Sequence, residues 1–96
     1  MKIGEISKDV LIDSGSASNL ISQDNFKELI RRGLKAELQP CSKKLYGYGG
    51  QELEVVGQFK SDVSVNGVKA SAQFIVVKKG RCLLGYSTAV DLGVLQ

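Results

Sequence analysis

The sequence contains no histidine, no tryptophan, a single proline (Pro40) and only two cysteines, Cys41 and Cys82. Without imidazole, Ser-His and Cys-His nucleophile pairs are excluded, and so is every zinc site that uses histidine. In a chain that is 43% hydrophobic the apolar side chains suffice for a core, so both thiols are expected to be reduced and partly buried, not joined as a staple. No apolar run approaches the roughly eighteen residues that a membrane span needs, and no basic start followed by an apolar stretch reads as a secretory signal. The chain is therefore expected to be soluble and intracellular, with no membrane partner. Three Tyr and three Phe offer no base-stacking platform. The net charge of +3 is scattered apart from the pairs Arg31-Arg32, Lys43-Lys44 and Lys78-Lys79, so no direct nucleic-acid binding is expected.

What is present reads as one mostly β domain over 1–96, without linker, low-complexity tract or internal repeat. Val10, Leu11 and Ile12 form a short apolar run expected to be a buried strand, which puts Asp13 at a strand end. Phe26, Leu29 and Ile30 fall at helical spacing, which predicts a helix over 23–32, capped by Ser22 and closed by Arg31, Arg32 and Gly33. Asn66-Gly67 lies between alternating runs, Val63 and Val65 before it and Val68, Ala70, Ala72, Phe74 and Val76 after it, a strong signal for a tight hairpin. A second hairpin is predicted to join 44–48 to 53–59 through Gly49-Gly50. Leu83-Leu84-Gly85 reads as a buried strand, followed by a short helix over 88–92 that Ser87 caps and Gly93 stops.

Asp13-Ser14-Gly15-Ser16 carries the most direct chemical suggestion. A tight loop after a strand holds a carboxylate at a fixed angle, as an acid/base catalyst requires, although Asp-Ser-Gly alone is also a common Asx-turn. The glycine-rich segment 47–50 and the apolar Leu20 and Leu83 have equally plain readings as a turn and as core.

Taken together in order, V-L-I-D-S-G-S at 10–16, L-Y-G-Y-G-G at 45–50, L-L-G at 83–85 and T-A-V-D-L-G-V-L at 88–95 resemble the retropepsins, the retroviral-type aspartic proteases, and in particular those of gypsy-like long-terminal-repeat retrotransposons. The resemblance implies a retropepsin-like half-barrel, mostly β with one moderate and one short C-terminal helix, active as a homodimer. It implies that Asp13 is the catalytic aspartate, with Ser14, Gly15 and Ser16 supporting the loop. It further implies a flap at Gly47, Tyr48, Gly49 and Gly50 that closes over a peptide or polyprotein substrate, with Tyr46 or Tyr48 covering a substrate side chain, and substrate contacts from Ala17, Leu20 and Leu83. No metal or cofactor is implied. Only one Asp-Ser-Gly occurs in the chain, so a shared site needs two copies. A hydroxyl at Ser16, where many members have Ala, is expected to donate to the aspartate.

The chain departs from the family's pattern where Tyr86 and Ser87 replace the usual Arg and Asn or Asp after Leu-Leu-Gly, and where Ala17 replaces an acidic residue. Losing both charges avoids an unpaired ion. With the chain ending soon after the closing helix, weak self-association is expected, and so is origin within a longer polyprotein, in the cytoplasm or in virus-like particles. The leading expectation is an aspartic endopeptidase that matures a retroelement polyprotein. The competing one is an inactive retropepsin-like dimerisation or peptide-binding module.

Overall fold

The structure is a computed structural model and describes residues 1–47 and 49–95. Among them the elements run β1 (Lys2–Ile3), β2 (Ile6–Ser7), β3 (Leu11–Ile12), β4 (Asn19–Ser22), α1 (Gln23–Arg31), β5 (Leu45–Tyr46), β6 (Glu52–Leu53), β7 (Val55–Val65), β8 (Val68–Val77), β9 (Leu83–Leu84) and α2 (Tyr86–Asp91). Seven strands form one sheet in the order β2-β1-β7-β8-β4-β9-β3, while β5 and β6 pair separately.

The long β7–β8 hairpin is the scaffold. Its turn has φ of 50° at Asn66 and 81° at Gly67, the left-handed backbone that the Asn-Gly pair admits at low steric cost. Register then follows from Val65↔Val68 to Phe59↔Phe74, so inward side chains meet across the pair. Beyond Phe74 the alternation gives way to a continuous buried run, Phe74 to Val77, because β8 is an inner strand covered on both faces there. Phe59 stacks on Phe74 with ring centroids 5.2 Å apart, and Phe26 from α1 packs on Phe59 at 4.8 Å. Ile3, Ile21, Leu29, Val63, Leu84, Ala89 and Leu92 complete this core.

Helix α1 forms where its pattern places it, with the Ser22 hydroxyl accepting the Asn25 N–H at 3.2 Å and Phe26 and Leu29 buried. Ile30 does not join them and stays exposed. Three further expectations are corrected. Leu11 and Ile12 are 50% and 47% exposed, because β3 is the edge strand of the sheet and not an inner one. Helix α2 starts at Tyr86 with Gly85 as its N-cap, so Ser87 lies inside the helix and caps nothing. The mid-chain hairpin pairs only Leu45↔Leu53 and Tyr46↔Glu52, because from Val55 the chain leaves that ladder for β8. Cys41 and Cys82 are both free thiols, partly buried and buried respectively.

Candidate active site

Strands β3 and β4 are the two limbs of the loop that carries Asp13, and β9 inserts between them. It runs parallel to β3 (Leu11↔Leu83, Ile12↔Leu84) and antiparallel to β4 (Leu20↔Leu83). The loop is thus gripped at both ends by one short segment. The Asp13 N–H donates to the Leu84 carbonyl at 2.9 Å, and the Tyr86 N–H donates to the Ser16 carbonyl at 3.0 Å. Gly85 lies between these grips, and a Cβ there would stand 2.8 Å from the Ser18 carbonyl and 3.0 Å from that of Ser16. Only glycine lets the two backbones approach so closely.

Within the loop, Asp13 Oδ1 accepts the Gly15 N–H at 3.0 Å and the Asp13 carbonyl accepts the Ser16 N–H at 3.0 Å. This is the Asx-turn that the tetrapeptide predicts, and it fixes the carboxylate by its own backbone. Ser14 and Gly15 are exposed and Asp13 is half-buried. The Ser16 hydroxyl differs from expectation: it donates to the Ser18 carbonyl at 2.7 Å, so its single proton goes to the loop and not to Asp13.

Leu20 and Leu83 face each other across the β4–β9 pair, both half-buried. Exposed Ala17 lines a hollow of about 210 Å³ together with Ser18, Lys43, Gln73 and Asp91. In the mid-chain hairpin Tyr46 is exposed, the Gly47 N–H donates to the Gln51 carbonyl at 2.8 Å, and the Gly50 N–H donates to the Gly47 carbonyl at 3.1 Å. Gly49 and Gly50 have positive φ, 88° and 80°. Tyr48 lies outside the described residues. Larger hollows, of about 640 and 690 Å³, open near Gly4 and Asp62, away from the Asp13 loop. Among the described residues no group of three Cys, Asp or Glu side chains is placed to hold a metal ion.

No family model matches this sequence, and no curated protein matches it. Among solved structures it is similar to EIAV protease, determined in complex with the inhibitor HBY-793, with a TM-score of 0.72 and 19% identity over 88% of this chain and 75% of that one. The chain has a retropepsin-like fold.

In this retropepsin-like fold the first residue of α2 is Tyr86, whose side chain is 52% exposed while its backbone N–H holds the loop. A second tie to α2, from the start of β4 that follows the loop, runs through two side chains that sequence reasoning missed. Asn19 and Thr88 are the buried polar pair here, with Asn19 Nδ2 donating to Thr88 Oγ1 at 2.8 Å. Their separation of 69 residues left no local pattern to find.

Proposed function

We propose that the protein is an aspartic endopeptidase of the retropepsin type, built from two copies of this chain that each supply one Asp13. The observation that carries the reading is the Asp13 loop itself: a half-exposed carboxylate held by the Gly15 N–H, on a loop clamped at both ends by residues 84–86. Two such carboxylates brought together cannot both ionise cheaply, so the pair shares one proton and titrates as a unit. The ionised member takes a proton from a water molecule, which attacks the scissile carbonyl. The protonated member donates to the carbonyl oxygen, and the tetrahedral intermediate then collapses with a proton passed to the leaving amine. Neither a metal nor a covalent acyl-enzyme enters the scheme.

One feature favours an assembly over a lone chain, and another favours a substrate at the loop. Strand β3, which leads into Asp13, is a sheet edge bearing the half-exposed Leu11 and Ile12, an arrangement that a second copy would cover. Among the described residues nothing requires glycine at 15, since a Cβ there would meet only Asp13 Oδ1 at 3.4 Å. The free space over that residue suits a substrate backbone. The glycine-rich hairpin around 47–50 serves as the flap that excludes water, and Leu20 and Leu83 line pockets for apolar residues flanking the cut. The resemblance of residues 10–16, 45–50 and 83–85 to the retropepsins of gypsy-like elements supports a retroelement polyprotein in the cytoplasm as the substrate.

The test compares the wild-type chain with Asp13→Asn on an unstructured peptide library from acid to neutral pH, with and without a statine-type inhibitor. Cleavage that disappears with the substitution and with the inhibitor is expected. Cleavage that survives both would refute the assignment, and no cleavage by the wild-type chain would favour the peptide-binding module.

A further inference from the structure

We infer that Asn19 is a positioning residue for Asp13, acting through a neutral hydrogen-bond lock on the corner between β9 and α2. The inference rests on the reading of Asp13 as the catalytic carboxylate. Asn19 is 6% exposed, and its carboxamide uses both hydrogens and the oxygen: Nδ2 donates to the Gln73 carbonyl at 3.0 Å and to Thr88 Oγ1 at 2.8 Å, and Oδ1 accepts the Gly85 N–H at 2.7 Å. These partners fix the amide's orientation, since turning it over would set oxygen against the Gln73 carbonyl and NH2 against the Gly85 N–H.

The place of each bond gives the lock its effect. Gly85 is the residue between Leu84, which holds the Asp13 N–H, and Tyr86, which holds the Ser16 carbonyl. Asn19 therefore pins the middle of the clamp on the Asp13 loop. Its bond to Thr88 ties α2 to the same point, and its bond to Gln73 ties that point to β8, the scaffold strand. One amide thus sets the depth at which the loop sits against the sheet. Being uncharged, the lock does not titrate, so it holds the loop alike across the pH range in which the carboxylate pair changes state. Losing it strips the buried Gly85 N–H of its acceptor and the part-buried Gln73 carbonyl of its Asn19 donor, and frees the corner to shift. Even a small displacement at a reacting group lowers the rate of the chemical step far more than it weakens peptide binding.

The experiment measures kcat and KM of the full chain, together with amide hydrogen exchange at Asp13, Gly85 and Tyr86, for Asn19→Ala, Asn19→Asp, Thr88→Val and Thr88→Ser. For Asn19→Ala, kcat falls about 10- to 100-fold with KM changed less than about twofold. Gly85 exchange accelerates while that of the β7–β8 hairpin does not. For Asn19→Asp, burial beside the Gln73 carbonyl raises the new acid's pKa; its protonated form keeps one donor and the acceptor for the Gly85 N–H at low pH, and the alkaline limb of the rate profile moves to lower pH. Thr88→Val lowers kcat and Thr88→Ser restores it, which keeps the test alive if Asn19→Ala does not fold. An unchanged kcat in Asn19→Ala and Thr88→Val, or an Asn19→Asp profile superimposed on the wild type, overturns the inference. Absence of wild-type cleavage refutes the reading of Asp13 instead, and unchanged Gly85 exchange in Asn19→Ala then refutes the lock on its own.

Discussion

Two glycines separate structure from function at the level of single residues. Gly85 is required inside the protomer, because a Cβ would press on the Ser16 and Ser18 carbonyls. Gly85→Ala is expected to destabilise the fold by about 1–3 kcal/mol. Gly15 meets no such obstacle and does not need a left-handed backbone. Gly15→Ala should leave the unfolding free energy within about 0.5 kcal/mol of wild type while abolishing peptide cleavage; thermal melts alongside kinetics check both. The Cys82 thiol offers a pH-linked prediction. Burial pushes it up to about 11 from 9.0, against a smaller opposing pull from Lys8. The folded state thus holds a proton that the unfolded chain releases, so this contribution to stability is intact below pH 9.0 and is lost as pH rises toward about 11. Denaturant titrations should show a steeper alkaline fall for wild type than for Cys82→Ala, and Ellman's reagent at neutral pH should label Cys41 well before Cys82. The Asx-turn at Asp13 was legible at this scale because it stands in a short motif. Asn19 was not, since its partners lie 54, 66 and 69 residues away and a lone Asn near a strand carries no signal.

Elements were legible where local chemistry alone decides them. The Asn66-Gly67 turn needs two left-handed residues, and the helix α1 has its cap, its apolar spacing and its basic end all within ten residues. Ser22→Ala should accordingly cost about 1 kcal/mol in a denaturant titration, with slightly more if the buried site is left a void. Elements were misread where distant parts decide. The start of α2 is set by Asn19 and the Ser16 carbonyl holding residues 85 and 86, which overrides the ordinary capping preference of Ser87. The apolar run at 10–12 looks like an inner strand, yet its burial depends on sheet order, which no local pattern encodes. The β1–β2 hairpin escaped notice because each of its strands is two residues long.

The sheet order places β3, and with it Asp13, at one extreme of the molecule, beside two large apolar side chains that the protomer leaves half uncovered. Ile12→Lys should therefore weaken self-association and activity together while barely altering the stability of the monomer, as sedimentation and thermal melts would report. The retropepsin-like architecture was readable through the resemblance of four short segments, taken in order, to a known family, although the solved EIAV protease shares only 19% identity with the chain. The central claim is that each Asp13 works only with a second one from another copy. It is tested most directly by adding increasing Asp13→Asn chain to a fixed amount of wild type and following peptide cleavage. Activity should fall as mixed pairs replace wild-type pairs; activity that stays constant under a large excess of the variant would contradict the account.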